Sequence, residues 1–254
     1  MIHFSLPKDI YATEFDDAVI ILHVANDQYL SLIDDAVSYF KLILETPCSL
    51  SEANNYMPCD KNWDDEVIKS LNNWIQDFIA QGLIVVADSS NRKKIYPAAR
   101  VPGGLREYQW DTKKDWTTFK KTSYPSALKA LWTLKNVNRA IKKKGMRGLF
   151  DLINKTTKKP QKMVHSLAKI KHISAAVDSA TKLYPKKTYC LGWASTFVIE
   201  ARRAGIDCSL MIGVQTNPFY AHAWAQLSDG TVINDNAQVS QVLSVIAKLP
   251  EEQK

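Results

Sequence analysis

Two apolar periods alternate along this chain. Ala18-Val19-Ile20-Ile21-Leu22-His23-Val24 is a continuous apolar run of strand length, Asn26-Asp27 is a turn pair, and Gln28-Tyr29-Leu30-Ser31-Leu32 carries apolar residues at 30 and 32. That spacing of two is the period of a pleated strand with one covered face. A weaker strand is expected near residues 9–12. From about Asp34 the spacing becomes helical, with Ala36, Val37, Phe40, Ile43 and Leu44 on one face and a stop before Pro47. A short helix is expected from Ser51. Asn62 is expected to cap a longer one, with Asp64, Asp65 and Glu66 in its first turn, where carboxylates meet the positive end of the helix dipole. Val67, Leu71, Trp74, Ile75, Phe78 and Ile79 form its apolar face and Gly82 ends it. Three strands followed by three helices within residues 1–88 describe a small winged-helix-like α+β unit.

Residues 89–125 lack sustained periodicity and are punctuated by Pro97, Pro102, Gly103, Gly104 and Pro125, which predicts a connector. Helical spacing resumes at Ser126, with Leu128, Leu131, Trp132, Leu134 and Ile141 as the expected apolar face, and a further helix from Met163 carries Val164, Leu167, Ala168 and Ile173. Residues 190–201 predict another helix with Gly205 as its stop, Ser209-Leu210-Met211-Ile212-Gly213-Val214 a strand, and residues 222–227 and 231–235 two strands joined at Asp229-Gly230.

Charge divides the chain at the same place. Residues 1–90 hold 15 Asp/Glu and 4 Lys/Arg, a balance of −11, and the remainder holds 29 Lys/Arg and 11 Asp/Glu, a balance of +18. Such asymmetry suggests two modules with different partners. Residues 135–171 carry 12 Lys/Arg against the single acid Asp151. That stretch fits a solvated helical face or a docking surface for an acidic protein, and less well a nucleic-acid patch. With 46% hydrophobic and 23% charged residues the composition is that of an ordinary globular protein. No apolar run has the length of a membrane span, and the start, with neither basic n-region nor long h-region, does not read as a signal peptide. Cys48, Cys59, Cys190 and Cys208 have no metal-ligand spacing and are expected to be reduced thiols in a cytoplasmic protein. No phosphate loop or dinucleotide fingerprint occurs, so no cofactor is expected and ATP use by this chain is unsupported.

Three residues carry the candidate chemistry. Cys190 opens a helix, where unpaired N–H groups and the dipole favour a thiolate, and Lys186 and Lys187 precede it. His222 begins a strand and Asp235 lies in the next. A two-residue turn at Asp229-Gly230 would pair Leu227 with Val232 and Trp224 with Asp235, putting His222, Trp224 and Asp235 on one face. Asn234 would point the other way, and only a one-residue slip would exchange the two, so Asp235 is the expected orienter of the imidazole. Alone, each of the three is more often structural than catalytic. The ordered set in helix-start, strand and strand contexts favours a thiol hydrolase.

The run from Cys190-Leu191 through Gly205-Ile206, then residues 210–214, then Pro218-Phe219-Tyr220-Ala221-His222-Ala223-Trp224 and Val232-Ile233-Asn234-Asp235, resembles the B proteins of lasso-peptide biosynthesis, leader peptidases of the transglutaminase-like, papain-related superfamily. The resemblance covers roughly residues 126–246. Residues 5–87 look like the small leader-binding domain related to PqqD, on the hairpin at residues 29–32, the Ala36…Phe40 helix and the closing Trp74…Phe78…Gly82-Leu83. Two departures stand out: Gly192 and Trp193 follow Cys190 where relatives are more often polar or bulky, and Gln226 stands where relatives often have Glu.

The resemblance implies an α+β protein with a recognition domain over residues 1–88, a connector over 89–125 and a transglutaminase/papain-like cysteine peptidase domain over 126–254. It implies cleavage of leader from core in a ribosomally made precursor, with Cys190 as nucleophile, His222 as base and then acid, and Asp235 as orienter. The leader would add as a strand along Tyr29, Leu30, Ser31 and Leu32 and lie against Val67, Leu71, Trp74 and Phe78. The freed amine would pass to an ATP-dependent, asparagine-synthetase-like cyclase. Neither nucleic acid nor a membrane span is expected. The alternatives are an acyltransferase or transamidase using the same thiol and, further off, a non-enzymatic nucleic-acid-binding adaptor.

Overall fold

The structure is a computed structural model describing residues 1–51, 55–59, 63–87, 93, 95–98, 123–156 and 167–251. The chain divides into two compact units, Met1–Ala98 and Ala99–Lys254. Most of the expected connector lies outside the described residues.

In the first unit, β1 (His3–Ser5) is followed by a meander of β2 (Ile10–Glu14), β3 (Ala18–His23) and β4 (Gln28–Ile33), in sheet order β2-β3-β4. The continuous apolar run is the middle strand, buried from Ala18 to Leu22, because a strand paired on both edges and covered on both faces needs apolar residues throughout. Helix α1 (Asp35–Glu45) buries Phe40 and Ile43, and α2 (Asp65–Ala80) buries Leu71, Ile75 and Phe78. Gly82, at φ +68°, takes the left-handed conformation that ends α2, and β7 (Val85–Ala87) returns to pair with β1. Phe40 meets Phe78 edge-on at 5.1 Å, and Trp74 stacks between Tyr39 and Phe78 at 6.0 and 5.3 Å.

Two expectations fail in this unit. Where a short helix was expected from Ser51, β5 (Cys48–Leu50) and β6 (Tyr56–Pro58) form a hairpin, residues 52–54 lying outside the described set. Non-local pairing decides this: Cys48 exchanges backbone bonds with Ile2, and the Asn72 side chain receives the Tyr56 N–H at 2.7 Å and donates to the Tyr56 carbonyl at 3.0 Å. Helix α2 is preceded by Asp64 as N-cap residue, without a side-chain cap bond, while Asn62 lies outside the described residues. Among the described residues the unit thus holds two helices, not the three of the expected winged-helix-like arrangement.

The second unit places three helices against an antiparallel sheet. They are α3 (Tyr124–Asn154), bent where Lys144 and Gly145 leave helical geometry, α4 (Leu167–Leu183) and α5 (Cys190–Arg203). The strands are β8 (Cys208–Gln215), β9 (Tyr220–Leu227), β10 (Val232–Ile233) and β11 (Ser244–Leu249), in order β10-β9-β8-β11, with one turn of helix, α6 (Val239–Val242), before the last. Helix α5 packs against α3, α4, β8 and β9, and every residue from Gly192 to Ala201 is buried. A helix apolar nearly all round belongs at the centre.

The buried face of α3 includes the expected Leu134 but otherwise differs from the expected one. Leu128 and Trp132 are exposed, Trp132 by 60%, while Ala127, Ala130, Thr133, Leu134 and Val137 face inward. Small residues let α3 and α5 approach, and Thr133 is needed there because its hydroxyl donates to Glu200 Oε1 at 2.7 Å. Glu200 also receives Lys129 Nζ at 2.8 Å and Arg203 Nη1 at 3.1 Å. Burial would raise its carboxyl pKa, but the bonds from Lys129 and Thr133 outweigh burial and hold it below the ordinary value.

Candidate active site

Cys190 is the first residue of α5, preceded by Tyr189 in extended geometry at φ −95° and ψ 172°. The helix start is fixed from behind. Trp193, one turn on and 1% exposed, donates its indole N–H to Asp178 Oδ1 of α4 at 2.7 Å and stacks on Phe197 at 5.4 Å. Gly192 accommodates the approach to α5, since a Cβ there would lie 3.2 Å from Thr188 Cγ2. Gly192 and Trp193 therefore fix the start of the helix that Cys190 opens.

Cys190 is partly exposed, and the backbone N–H groups of Ala223, Leu191 and Cys190 itself lie near enough to its sulfur to pull the thiol pKa down. Burial raises the thiol pKa above its ordinary value, and these N–H groups only partly offset it. Lys186 and Lys187 are exposed, and Lys187 lies over the Tyr189 ring at 5.4 Å. The expected cationic field gives way to burial, which favours the protonated thiol.

Ala223, whose N–H is the largest of the influences that lower the thiol pKa, directly follows His222 on β9. His222, 2% exposed, meets Asp235 Oδ2 through Nε2 at 2.6 Å, and Asp235 Oδ1 accepts the Asn236 N–H at 2.7 Å. Burial lowers the imidazole pKa. Burial likewise raises that of the carboxyl, against the Asn236 bond. Both members are pressed toward their uncharged forms.

Asp235 reaches His222 by a route the sequence did not indicate. The hairpin loop holds three residues, Ser228, Asp229 and Gly230, with Gly230 at φ +89° and Leu227 N–H bonded to the Thr231 carbonyl at 2.9 Å. Val232 pairs with Gln226 and Ile233 with Ala225, one residue away from the expected register. Continued as a strand, that register would set Asn234 opposite Trp224. The strand instead stops at Ile233, Asn234 turns left-handed at φ +53°, and Asp235 swings beneath His222. Asn234 is buried, and its amide atoms make no hydrogen bond among the described residues.

Sequence reasoning gave no role to Gln226, whose Oε1 accepts Trp224 Nε1–H at 3.0 Å and whose Nε2 donates to the Gly230 carbonyl at 3.2 Å. Tyr220, two residues before His222 on the same strand face, stacks on its ring at 6.0 Å and lies close enough to Cys190 for a charge there to raise the phenol pKa, in addition to the effect of burial. Neither contact has a local signal beyond the alternation of β9. Cys48 and Cys208 are buried and Cys59 is exposed, all as free thiols.

Of the leader-binding candidates, Tyr29, Leu30 and Leu32 are half-buried on β4 and Ser31 is exposed; Val67 and Trp74 are half-buried on α2. Leu71 and Phe78, each 1% exposed, belong to the core around Phe40 and Ile75 and are not available to a surface ligand.

Comparison with known proteins accords with this geometry. Residues 133–248, which contain all three candidate residues, match the family described as the transglutaminase-like superfamily. The chain is 31% identical over 112 residues to the microcin J25-processing protein McjB of Escherichia coli, an alignment covering 43% of this chain and 51% of that protein. The chain thus spans about half the length of the curated relative it matches. No solved structure gives a significant match. Residues 133–248 of the second unit are thus similar to the transglutaminase-like superfamily, and the chain resembles a lasso-peptide B protein.

Proposed function

We propose that this protein is a cysteine peptidase that removes the leader from a ribosomally made lasso-peptide precursor, with Cys190, His222 and Asp235 as its triad. The observation that carries the reading is the 2.6 Å contact of His222 Nε2 with Asp235, with the N–H of Ala223, the next residue along β9, near enough to the Cys190 sulfur to act on its pKa. Because Nε2 is taken by Asp235, Nδ1 is the nitrogen that exchanges a proton with the thiol. Cys190 Sγ attacks the carbonyl before the core's first residue as its proton passes to His222 Nδ1. The Cys190 N–H donates to the developing oxyanion. His222 then protonates the leaving amine, which departs as the freed core, and the leader remains as a thioester. His222 next takes a proton from water, whose oxygen attacks the thioester and releases the leader acid and the thiol. Burial at rest keeps thiol and imidazole uncharged, so proton transfer accompanies attack and does not precede it.

The first unit supplies recognition in this reading. Strand β4 is an edge of its sheet among the described residues, and its half-buried Tyr29, Leu30 and Leu32 offer an apolar strip along that edge. Val67 and Trp74 remain as contacts on α2. Tethering recognition to cleavage raises the effective concentration of the scissile bond at Cys190. The freed amine would be consumed by a separate ATP-dependent cyclase.

The experiment is Cys190→Ala with the cognate precursor: binding of a leader peptide persists and cleavage disappears. Mass spectrometry of the parent reaction separates hydrolysis, which yields free leader acid, from transfer to an amine, which yields an adduct. Continued cutting by the alanine variant would end the assignment.

A further inference from the structure

The ladder between β8 and β9 sets Gly213 directly opposite His222. Paired residues of an antiparallel ladder project to one face, so a side chain at position 213 would stand beside the imidazole. The space is already filled. A Cβ on Gly213 would lie 2.7 Å from Cη2 and Cζ3 of Trp224 and 2.9 Å from the Cβ of Leu243. The far edge of the Trp224 indole thus lies across Gly213, and its near end is pinned by donation to Gln226 at 3.0 Å. The indole is buried and belongs to the cluster with Val232, Val239 and Leu243. Its plane lies 19° from that of His222 with centroids 6.3 Å apart, while Tyr220 flanks the imidazole on the other side at 6.0 Å and 18°.

We propose that Trp224, seated over Gly213, is a positioning residue for His222, fixing the plane of the imidazole so that Nδ1 faces the Cys190 sulfur. This rests on the reading of Cys190 and His222 as nucleophile and base. Asp235 alone does not determine the plane, because a ring held at one nitrogen can still turn about that hydrogen bond. A flat, immobile wall one strand position away removes the remaining freedom. Gly213 is required because a methyl there collides with the indole on one side and, on the other, with a Cβ that cannot swing away as the tip of a long side chain could.

The test compares Gly213→Ala, Trp224→Phe and the double variant, each measured on folded protein well below its unfolding midpoint. Two rates are followed: precursor cleavage, and alkylation of Cys190 by iodoacetamide in a Cys59→Ser background. Gly213→Ala is expected to lower kcat by about tenfold to a hundredfold with KM unchanged, the scale on which small misalignments act, and to slow alkylation alongside. Trp224→Phe removes the wall without adding a clash, so it lowers both rates even should the alanine variant fail to fold. The double variant recovers part of the loss of Gly213→Ala, since the indole atoms that collide with the new methyl are gone while the Leu243 Cβ remains. Parental rates in Trp224→Phe, or a folded Gly213→Ala at full activity, overturn the proposal; so does a folded Gly213→Ala that is slowed and gains nothing in the double variant. A parent that alkylates at Cys190 yet cuts no precursor refutes the peptidase reading, while the alkylation rates still judge the seat.

Discussion

The two ends of α5 treat ionisable groups in opposite ways. Toward the C-terminal end, Glu200 is buried with three donors, and the pairing holds its carboxyl charged. At the N-terminal end, burial presses Cys190, His222, Asp235 and the neighbouring Asp178 toward their uncharged forms. A buried charge with a full set of partners is a permanent cross-link, here between α3 and α5. A buried set left short of compensation is unsettled until something arrives to share its proton or receive its electrons. One end of the helix holds the fold; the other, in the proposed reading, is kept ready to react.

The contrast breaks most sharply at Asp235. Asp235→Ala leaves His222 without an orienting acceptor and should lower kcat for precursor cleavage by roughly a thousandfold or more, with the unfolding midpoint little changed. Cleavage within tenfold of the parent would show that Asp235 does not orient the base. At the other end the expectation reverses. Glu200→Ala strands Lys129 and Arg203 beside a buried Thr133 and should destabilise by about 3 kcal/mol in urea unfolding, while molecules that remain folded cleave normally. Stability equal to the parent would show that the network contributes nothing.

The pH dependence of Cys190 sharpens the comparison. A thiol pKa raised by burial leaves less thiolate at neutral pH than an ordinary cysteine has. In a Cys59→Ser background, iodoacetamide alkylation should therefore rise by about tenfold per pH unit through neutrality and turn over only above the range of free cysteine. A plateau extending below pH 7 would mean a standing thiolate–imidazolium pair and would contradict a resting thiol that keeps its proton.

How much of this was legible in the sequence follows from the range of each determinant. The β2–β4 meander, α2 with its Gly82 stop and the order Cys190, His222, Asp235 were readable because periodicity, turn residues and helix starts are local. The β5–β6 hairpin was not, because partners at Ile2 and Asn72 define it. The inward face of α3 was misread because Ala127, Ala130 and Thr133 are chosen for close approach to α5 and for Glu200, not for hydrophobicity. Asp235 was read as the partner of His222 through a register one residue off. What delivers it is the left-handed turn at Asn234, which a pattern of apolar alternation does not encode.

The smallest effect lies at Asp178, where the two ends of α5 can be compared in one variant. Oδ1 accepts the Trp193 indole and Oδ2 makes no hydrogen bond among the described residues, so burial raises this carboxyl above its ordinary 3.8, against the Trp193 bond and the Lys182 charge. The sign follows from which state holds the proton. The folded protein retains it to higher pH than the unfolded chain, so the contribution of Asp178 is most favourable below the unfolded value and declines as pH rises through the folded one. Asp178→Asn keeps an acceptor for Trp193 and does not titrate. Its stability relative to the parent should therefore improve from pH 4 to pH 7, by an amount on the order of 1 kcal/mol. A difference that stays constant over that range would place Asp178 with Glu200, as a buried group already compensated in its charged form.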